Sequence, residues 1–449
     1  MPNTRQERYF MARNAEKLQV IPPKKHSFDL HSMSPGAIKV IDELVRSGFQ
    51  AYLVGGSIRD GLLGCQPKDF DVSTDATPEQ VKKVFRHSRI IGRRFRIVHV
   101  RFGREIIEVT TFRGQSNDST HQIESNTGQL LRDNVYGDMH SDAIRRDFTV
   151  NALYYSPDNE SIYDYTNGIA DVQKRQLRII GDPLTRYKED PVRLLRAIRF
   201  SAKLGFSIEE KTAAPIFDNG HLLTHVPPAR LFDEILKLFL NGSAIATYTL
   251  LRDYQLLDSL FPGTMAVMDK SPYFDGLVNA VMLNTDKRLR NNKRVTPAFI
   301  YGALLWPAFI YEQHRLVQEG VPIIAAVHQA ADSVIAQQLT TVAIPKRFTI
   351  PMRQIWELQW RLALRTGKKA EKLLEHEKFR AGYDFLLMRE AAGEKLNGLG
   401  HWWTRFQEAP EDIRDAMVDE LHPDQRKPRR RKKKAVVEAD TQAQQAPSE

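Results

Sequence analysis

Hydrophobic residues recur first at helical and then at strand spacing in the opening third of the chain. Apolar residues at three- and four-residue intervals between residues 37 and 45 predict an amphipathic helix. Residues 51–54 have the pattern of a short buried strand, and apolar and charged residues alternate over residues 69–72 as in a second strand. Residues 97–102 and 105–112 predict a hairpin that turns at Gly103. We therefore expect a mixed α+β unit here.

The rest of the chain has a different pattern. Residues 113–145 are polar and without clear periodicity, so we expect a long and partly mobile loop. After Asp190 apolar residues recur at helical spacing, which predicts an all-helical region. The apolar run 298–311 contains Pro307 and is shorter than the ~18 residues of a membrane helix, so we interpret it as a buried helix pair. The tryptophans of this region are expected to be packing residues.

Composition adds charge and compartment to this picture. The 449 residues carry a formal net charge of +10, which favours polyanionic partners such as nucleic acid. The single cysteine, Cys65, excludes an intramolecular disulfide and a cysteine-rich zinc site. No signal-peptide pattern or membrane-spanning segment is apparent, so we expect a cytoplasmic protein.

Candidate chemistry begins at Gly55 and Gly56, directly after the predicted strand 51–54. Glycines let backbone amides approach a ligand closely, and the helix expected at residues 57–62 would offer its N-terminus to a triphosphate. A plain turn would give the same two residues. Asp69 and Asp71 lie two apart on the next predicted strand, so both carboxylates project from one face. Magnesium between them would relieve their repulsion, although an isolated Asp-x-Asp more often marks a solvated strand end.

Three later features could complete such a site. Glu108 on the predicted strand 105–112 is either a third acid or an exposed strand residue. Asp147 follows two arginines and precedes Asn151; it could cap a short helix, or the group could contact phosphate oxygens. Asp190 before Pro191 is a typical helix start, and the arginines that follow it form either a solvated basic face or a surface that reads a nucleobase edge.

In this order, these motifs resemble those of the class II tRNA nucleotidyltransferase and bacterial poly(A) polymerase family, from Leu53 to Phe206. The resemblance implies a polymerase-β-like nucleotidyltransferase head, a mixed sheet with helices, followed by an all-helical neck, body and tail region. It implies metal binding by Asp69 and Asp71, with Asp147 and Glu108 as further catalytic residues. The residues that it implies for nucleotide binding are Gly55, Gly56, Arg59, Arg146, Asn151, Asp190, Arg193 and Arg196.

Within the family, three features favour poly(A) addition over the alternative, a CCA-adding tRNA nucleotidyltransferase. Residues 90–100 look like the signature of bacterial poly(A) polymerases. The basic segment 426–434 suits non-specific RNA binding, and no His-Asp dipeptide marks an appended phosphohydrolase domain. The expected RNA contacts in this segment are Arg429, Arg430, Arg431, Lys432 and Lys433.

The resulting prediction is a template-independent enzyme that transfers AMP from ATP to RNA 3′-hydroxyl ends and releases pyrophosphate, with two Mg²⁺ ions that Mn²⁺ could replace. We expect a monomer that acts on RNA and has RNA-decay proteins as partners. The expected regions are a flexible segment (1–30), the catalytic head (31–155), a helical neck that recognises the nucleotide (156–262), a helical body that binds RNA (263–420) and a disordered basic tail (421–449). A non-catalytic RNA-binding protein and an antibiotic-modifying nucleotidyltransferase are the competing classes.

Overall fold

A mixed sheet forms the first part of the fold, and helices form the remainder. The computed structural model describes residues 18–67, 69–92, 96–114, 122–124, 130–133, 135–366 and 368–421. The strands in these ranges are β1 (Gln19–Ile21), β2 (Ala51–Val54), β3 (Asp71–Thr74), β4 (Ser88–Ile91), β5 (Ile97–Phe102), β6 (Glu105–Thr111), β7 (Gln122–Glu124), β8 (Leu130–Asp133), β9 (Leu153–Ser156), β10 (Ser161–Asp164), β11 (Gln176–Leu177) and β12 (Ser207–Ile208).

The helices alternate with the strands at first and then follow one another without strands. In the head and neck they are α1 (Pro35–Arg46), α2 (Gly56–Leu62), α3 (Pro78–Val84), α4 (Met139–Arg145), α5 (Gly168–Gln173), α6 (Pro183–Glu189), α7 (Val192–Leu204), α8 (Glu210–Asn219), α9 (Pro228–Phe239), α10 (Ala244–Asp253), α11 (Leu257–Leu260) and α12 (Pro262–Met265). In the body they are α13 (Pro272–Arg290), α14 (Pro297–Leu304), α15 (Trp306–Gln318), α16 (Ile323–Thr341), α17 (Lys346–Ala363), α18 (Lys369–Leu374), α19 (Phe379–Ala391), α20 (Leu399–Glu408) and α21 (Glu411–Leu421).

Eight strands form the main sheet in the order β1-β10-β9-β2-β3-β6-β5-β4. The β3–β6 pair is parallel, and the other neighbouring pairs are antiparallel. Helices α1 and α3 cover one face of this sheet, where Val40 and Leu44 join Val72 and Val109 in a fully buried core. Because side chains alternate along a strand, Asp71 and Glu108 point to the opposite face. The sheet therefore separates this apolar core from the face that carries the two acids.

The predicted amphipathic helix is confirmed as α1. The Ser34 hydroxyl accepts a hydrogen bond from the Ala37 amide over 3.0 Å, and Pro35 occupies the first turn. Both features are typical of a helix start, because the first amides of a helix lack partners within it. The predicted buried helix pair is also confirmed, as α14 and α15.

Three expectations about local structure are wrong. Gln19–Ile21, expected to be flexible, forms the edge strand β1 paired with β10. Strand β10 itself belongs to the sheet, although residues 156–262 were expected to be helical. The end of the expected loop is helix α4, whose start is fixed by reciprocal hydrogen bonds between Asp138 and Ser141. Local polar contacts and sheet pairing thus stabilise segments that lack an apolar pattern.

In the helical part, Trp356 and Trp403 are packing residues as expected, whereas Trp360 and Trp402 are partly buried. Trp356 and Trp403 are buried, and their indole nitrogens donate to the carbonyl oxygens of Gly302 over 3.0 Å and Leu362 over 2.9 Å. Among the helices that the structure describes, none combines the length and the apolar composition needed to cross a lipid bilayer.

Candidate active site

The turn between β2 and α2 carries the two glycines. Gly55 has φ +82°, a conformation that side chains with a Cβ rarely adopt, and its amide donates to the carbonyl of Leu153 over 3.1 Å. Helix α2 begins at Gly56, one residue before the predicted start. A residue other than glycine would thus be strained at position 55.

An acid pair lies on the exposed face of the sheet. Asp71 opens β3 and lies directly opposite Glu108 of β6 in the parallel register. Burial and the Glu108 carboxylate raise the pKa of Asp71 to about 6, with the charge of Arg146 opposing this effect. Asp69 is exposed and precedes the strand rather than lying on it, which corrects the predicted boundary. The register places Glu108 beside Asp71, and the Glu108 side chain is also exposed, so its role as a third acid stays a prediction.

Two further groups surround this pair. His99 of β5 lies opposite Glu108, with 3.2 Å between its Nε2 and the Glu108 Oε1. Arg146 donates to Asp142 over 2.9 Å, to the Ser73 hydroxyl over 3.0 Å and to the Tyr154 hydroxyl over 3.0 Å. These bonds hold one guanidinium beside the acids.

Asp147 joins the head to the neck helix α7. Its carboxylate accepts from Arg196 over 2.7 Å, from Asn151 over 3.1 Å and from the Phe148 amide over 2.8 Å. Burial alone would raise the pKa of Asp147, but the Arg196 charge and these hydrogen bonds hold it at about 2. The carboxylate does not cap the following short helix, whose first residues make no side-chain cap bond. Asp147 is therefore a charged link between the two regions.

Arg59 lies behind Asn151 and is 2% exposed. It donates to the Asn151 side-chain oxygen and, over 2.8 and 2.6 Å, to Asp60. Its guanidinium also lies 5.3 Å from the centre of the Phe200 ring. Arg59 is therefore buried, and it holds the Asn151 side chain in position and does not face the cleft.

The start of α7 presents Asp190 and Arg193. Both oxygens of Asp190 accept from Arg230 of α9, over 2.9 and 2.8 Å. Arg193 donates to Glu189 over 2.9 Å and to the carbonyl of Arg186 over 2.8 Å. These contacts hold the two side chains in fixed positions, so the arginines of α7 do not form a solvated face.

A cleft of about 300 Å³ lies between the acid pair and α7. It brings together seven of the predicted site residues, from both the head and the neck. Gly55, Gly56, Arg59, Asn151 and Asp69 do not line it. The cleft is lined by Val54, Asp71, Glu108, Thr110, Arg113, Asp142, Arg145, Arg146, Asp147, Asp190, Arg193 and Arg196. Arginines pair with Asp142, Asp147 and Asp190, and the remaining acids, Asp71 and Glu108, with the arginines would suit a metal-bound polyphosphate.

Comparison with known proteins supports this interpretation. Family models match residues 51–178 (poly A polymerase head domain), 205–268 (probable RNA and SrmB-binding site of polymerase A) and 319–435 (polymerase A arginine-rich C-terminus). The chain is 44% identical to poly(A) polymerase I of Salmonella typhi over 424 residues, which cover 92% of this chain and 91% of the relative. The chain belongs to the bacterial poly(A) polymerase family.

Relatives with CCA-adding names are more distant. The CCA-adding enzyme of Lactobacillus helveticus is 36% identical over 224 residues, or 50% of this chain and 54% of the relative. The crystal structure of the Bacillus stearothermophilus CCA-adding enzyme in complex with CTP matches with a TM-score of 0.56 and 24% identity, covering 84% of this chain and 82% of that one. This likeness shows that the nucleotidyltransferase fold is shared.

The acids of this poly(A) polymerase family member fit a divalent cation in one respect. Burial raises the pKa of Asp71 most and the nearby Glu108 carboxylate raises it further, and a cation between the two acids would relieve their repulsion. In the described part of the chain, no three His, Cys, Asp or Glu side chains form a complete metal-binding group. Substrate phosphates and water would therefore complete the coordination, as Mg²⁺ prefers.

Several residues that line the cleft or hold its side chains were not predicted from the sequence. Asp142 orients Arg146, and Arg230 holds Asp190. Arg186 donates to the carbonyls of Arg145 and Arg146 over 2.6 and 2.7 Å. The capping pattern at Asp138 could have revealed the helix that carries Asp142. Nothing in the sequence signals the pairing of Asp190 with Arg230. The tail residues 429–433 lie outside the described residues.

Proposed function

We propose that this protein extends RNA 3′ ends with AMP from ATP, without a template, and releases pyrophosphate. The observation that carries the proposal is the cleft itself, in which the acid pair Asp71 and Glu108 faces the neck residues Asp190 and Arg193. Poly(A) addition is favoured over CCA addition because the likeness to poly(A) polymerases extends across the helical region, whereas the CCA-adding relative matches half of the chain.

We assign metal binding to Asp69 and Asp71, with Glu108 as their neighbour. Mg²⁺ bound there would lower the pKa of the attacking RNA hydroxyl and neutralise charge on the triphosphate; Mn²⁺ would serve the same purpose. Glu108 lines the cleft and contacts His99 over 3.2 Å, so it would be the group that accepts the proton from the hydroxyl. Val54 lines the cleft, and the turn at Gly55 and Gly56 directly after it would lie against a triphosphate that extends past this residue.

The remaining cleft residues would orient ATP. In-line attack on the α-phosphate spreads negative charge over its oxygens, and Arg146 lies beside the acids to stabilise that charge. Asp147, bound to Arg196 and Asn151, would position the ribose end of the nucleotide. Asp190 accepts hydrogen bonds and Arg193 donates them, so together they match the donor and acceptor on the adenine edge. Protein side chains would thus replace the template base.

Four further expectations stay predictions. They are a monomeric state, a cytoplasmic location, RNA-decay proteins as partners and RNA contacts by residues 429–433.

The test is extension of RNA with a free 3′ hydroxyl, with each nucleoside triphosphate supplied separately in Mg²⁺. Long products with ATP alone are expected, and Asp69→Asn and Asp71→Asn should both abolish them. Asp158→Asn, at an exposed turn between β9 and β10, is the matched control and should remain active. Arrest after one to three additions, with CTP required on transcripts lacking CCA, would favour the CCA-adding alternative. No RNA-dependent incorporation of any nucleotide would refute both.

A further inference from the structure

A basic turn, formed by the last four residues of α13 and the four residues after it, lies in the helical body, far along the sequence from the catalytic residues. Five of its eight residues are cationic, over residues 287–294. Lys287, Arg290, Lys293 and Arg294 are exposed. Within the described residues none of these four forms an ion pair, whereas the fifth, Arg288, lies 3.9 Å from Asp384. Cations are common in the last turn of a helix, but Lys293 and Arg294 lie beyond it, where the helix dipole does not account for them.

A pocket of about 240 Å³ opens beside this turn, between α13, α14 and α19. Its walls include Val281, Val295 and the half-buried ring of Phe299. Arg288 and Arg294 belong to both the pocket and the basic turn. The volume is below the roughly 300 Å³ at which sites for drug-sized ligands begin, so it suits one flat ring system. We call this cavity the body pocket.

The polar groups of the body pocket are unevenly satisfied. Asp384 accepts from Arg380 over 2.9 Å, and Glu377 accepts from Gln354 over 3.3 Å. These contacts partly compensate the two acids of the pocket. The Thr285 hydroxyl is different: the residue is 1% exposed, and its oxygen has no hydrogen-bond partner among the described residues. A buried hydroxyl is normally bonded, so Thr285 points to a ligand with a polar edge.

The body pocket adjoins a segment whose family model concerns RNA. Residues 205–268 match the probable RNA and SrmB-binding site, and that range includes α10. Helix α13 packs against α10, where Asp286 accepts from the amides of Ala244 and Ile245 over 2.6 and 3.1 Å. A strand of RNA held on α10 could therefore continue onto the turn at residues 287–294.

We infer that the body pocket binds one base of the RNA primer, upstream of its growing 3′ end, while the basic turn contacts the flanking phosphates. This inference rests on RNA being the primer, as in the proposed function. Single-stranded RNA binds where bases meet aromatic or apolar surfaces and cations follow the backbone. An unpaired row of cations beside an apolar, ring-sized cavity has both properties. An acidic protein segment would match the charges but would not require a flat cavity.

The first test changes charge alone. Full-length protein with Arg290→Gln, Lys293→Gln and Arg294→Gln would be compared with wild type in binding a 20-nucleotide and a 6-nucleotide unstructured RNA. Loss of three phosphate contacts should weaken binding of the longer RNA by about tenfold or more and lower the salt slope by about 2. The kcat on the short primer should not change. Lys39→Gln, Lys82→Gln and Lys83→Gln, on α1 and α3 behind the sheet, form the matched control and should bind normally.

The second test concerns the base. Scanning the 20-nucleotide RNA with single abasic positions should reveal one upstream position that weakens binding to the wild type. Thr296 is an exposed residue at the rim, and Thr296→Phe would fill the body pocket. In this variant, the abasic substitution at that RNA position should no longer weaken binding. Thr340→Phe, exposed at the end of α16, is the control for the added ring and should leave the effect in place.

The outcomes separate this inference from the proposed function. The RNA site would be refuted, even if ATP is polymerised, by either of two results. The first is a charge variant that binds RNA with the affinity and the salt slope of the wild type. The second is a Thr296→Phe variant with the same abasic profile as the wild type. Weakened RNA binding in the charge variant would support the site even if the wild type extends no RNA, in which case the proposed catalytic function would be wrong.

Discussion

Replacement of Asp71 by asparagine should stabilise the metal-free protein while abolishing catalysis. Burial and the neighbouring Glu108 raise the pKa of Asp71 from 3.8 to about 6. At ~1.36 kcal/mol for each pKa unit, that difference corresponds to about 3 kcal/mol of unfolding free energy. Asparagine keeps the size of the side chain and removes its charge. The ionised Asp71 is thus expected to lower the unfolding free energy of the wild type, and a bound cation would offset that loss.

The sign of the effect depends on pH. Below pH 3.8 Asp71 is protonated in both the folded and the unfolded chain, so the charge adds no cost. Between pH 3.8 and about 6 the unfolded chain ionises first, and the stability of the folded wild type decreases. Above about pH 6 the carboxylate is ionised in both states, and the full cost remains. The advantage of Asp71→Asn should therefore be largest above pH 7 and decrease towards pH 4.

The assay is denaturant unfolding in EDTA at pH 8 and pH 5, with an added Mg²⁺ series at pH 8. The variant should be up to about 3 kcal/mol more stable than wild type at pH 8. Mg²⁺ should stabilise the wild type more than the variant, because a ligand stabilises the state that binds it. Asp158→Asn, which changes an exposed aspartate, controls for the substitution itself. Equal or lower stability of Asp71→Asn at pH 8 would refute the argument.

Three other changes probe the neck and the tail. Arg196→Met leaves Asp147 buried without its main partner. Because the pKa of Asp147 is about 2 in the folded protein, the variant should lose ~2 kcal/mol of unfolding free energy at pH 7, and this loss should become smaller below pH 4. A loss of the same size at every pH would contradict this reasoning. Arg230→Ala removes the hydrogen bonds that hold Asp190 in position. Because charge-assisted hydrogen bonds contribute ~1.5–3 kcal/mol, the ratio of kcat/KM for ATP to that for CTP should decrease about tenfold. If this ratio is unchanged, Arg230 has no role in the choice of nucleotide. Deleting the chain from Arg426 onward should reduce the salt dependence of RNA binding but not extension of short primers, and an unaltered salt slope would exclude the tail as an RNA contact.

Much of the head could be predicted because its signals are local. Alternation along residues 105–112 places Glu108 on the face opposite Ile107 and Val109, and the structure confirms that arrangement. The register that sets Glu108 beside Asp71 could not be predicted. Strands β3 and β6 are parallel and separated in sequence by three other elements, so no turn fixes their pairing.

The missed features are those that depend on distant or purely polar contacts. Strand β1 has three residues and is stabilised by pairing with β10, more than 140 residues away. Helix α4 lacks a long apolar stripe and begins at the Asp138–Ser141 capping contacts. Arg230 lies 40 residues beyond Asp190, and its contact follows from the packing of α9 against α7. The periodicity of apolar residues shows which face of a helix or strand is buried. It carries no information on contacts between residues far apart in the sequence.

The network around α6 and α7 explains how base choice without a template could be accurate. Arg186 donates to the carbonyls of Arg145 and Arg146 in the head, and the carbonyl of Arg186 accepts from Arg193 in the neck. Arg230 holds Asp190 from a third helix. A template base selects the incoming nucleotide by base pairing. Protein side chains can select the nucleotide only if they are held at a fixed distance from the reacting phosphate. We expect these ion pairs to add little net stability and to favour one geometry of the site. Under the proposed function, the bonds that tie the neck to the head would therefore contribute to nucleotide selection as well as to the fold.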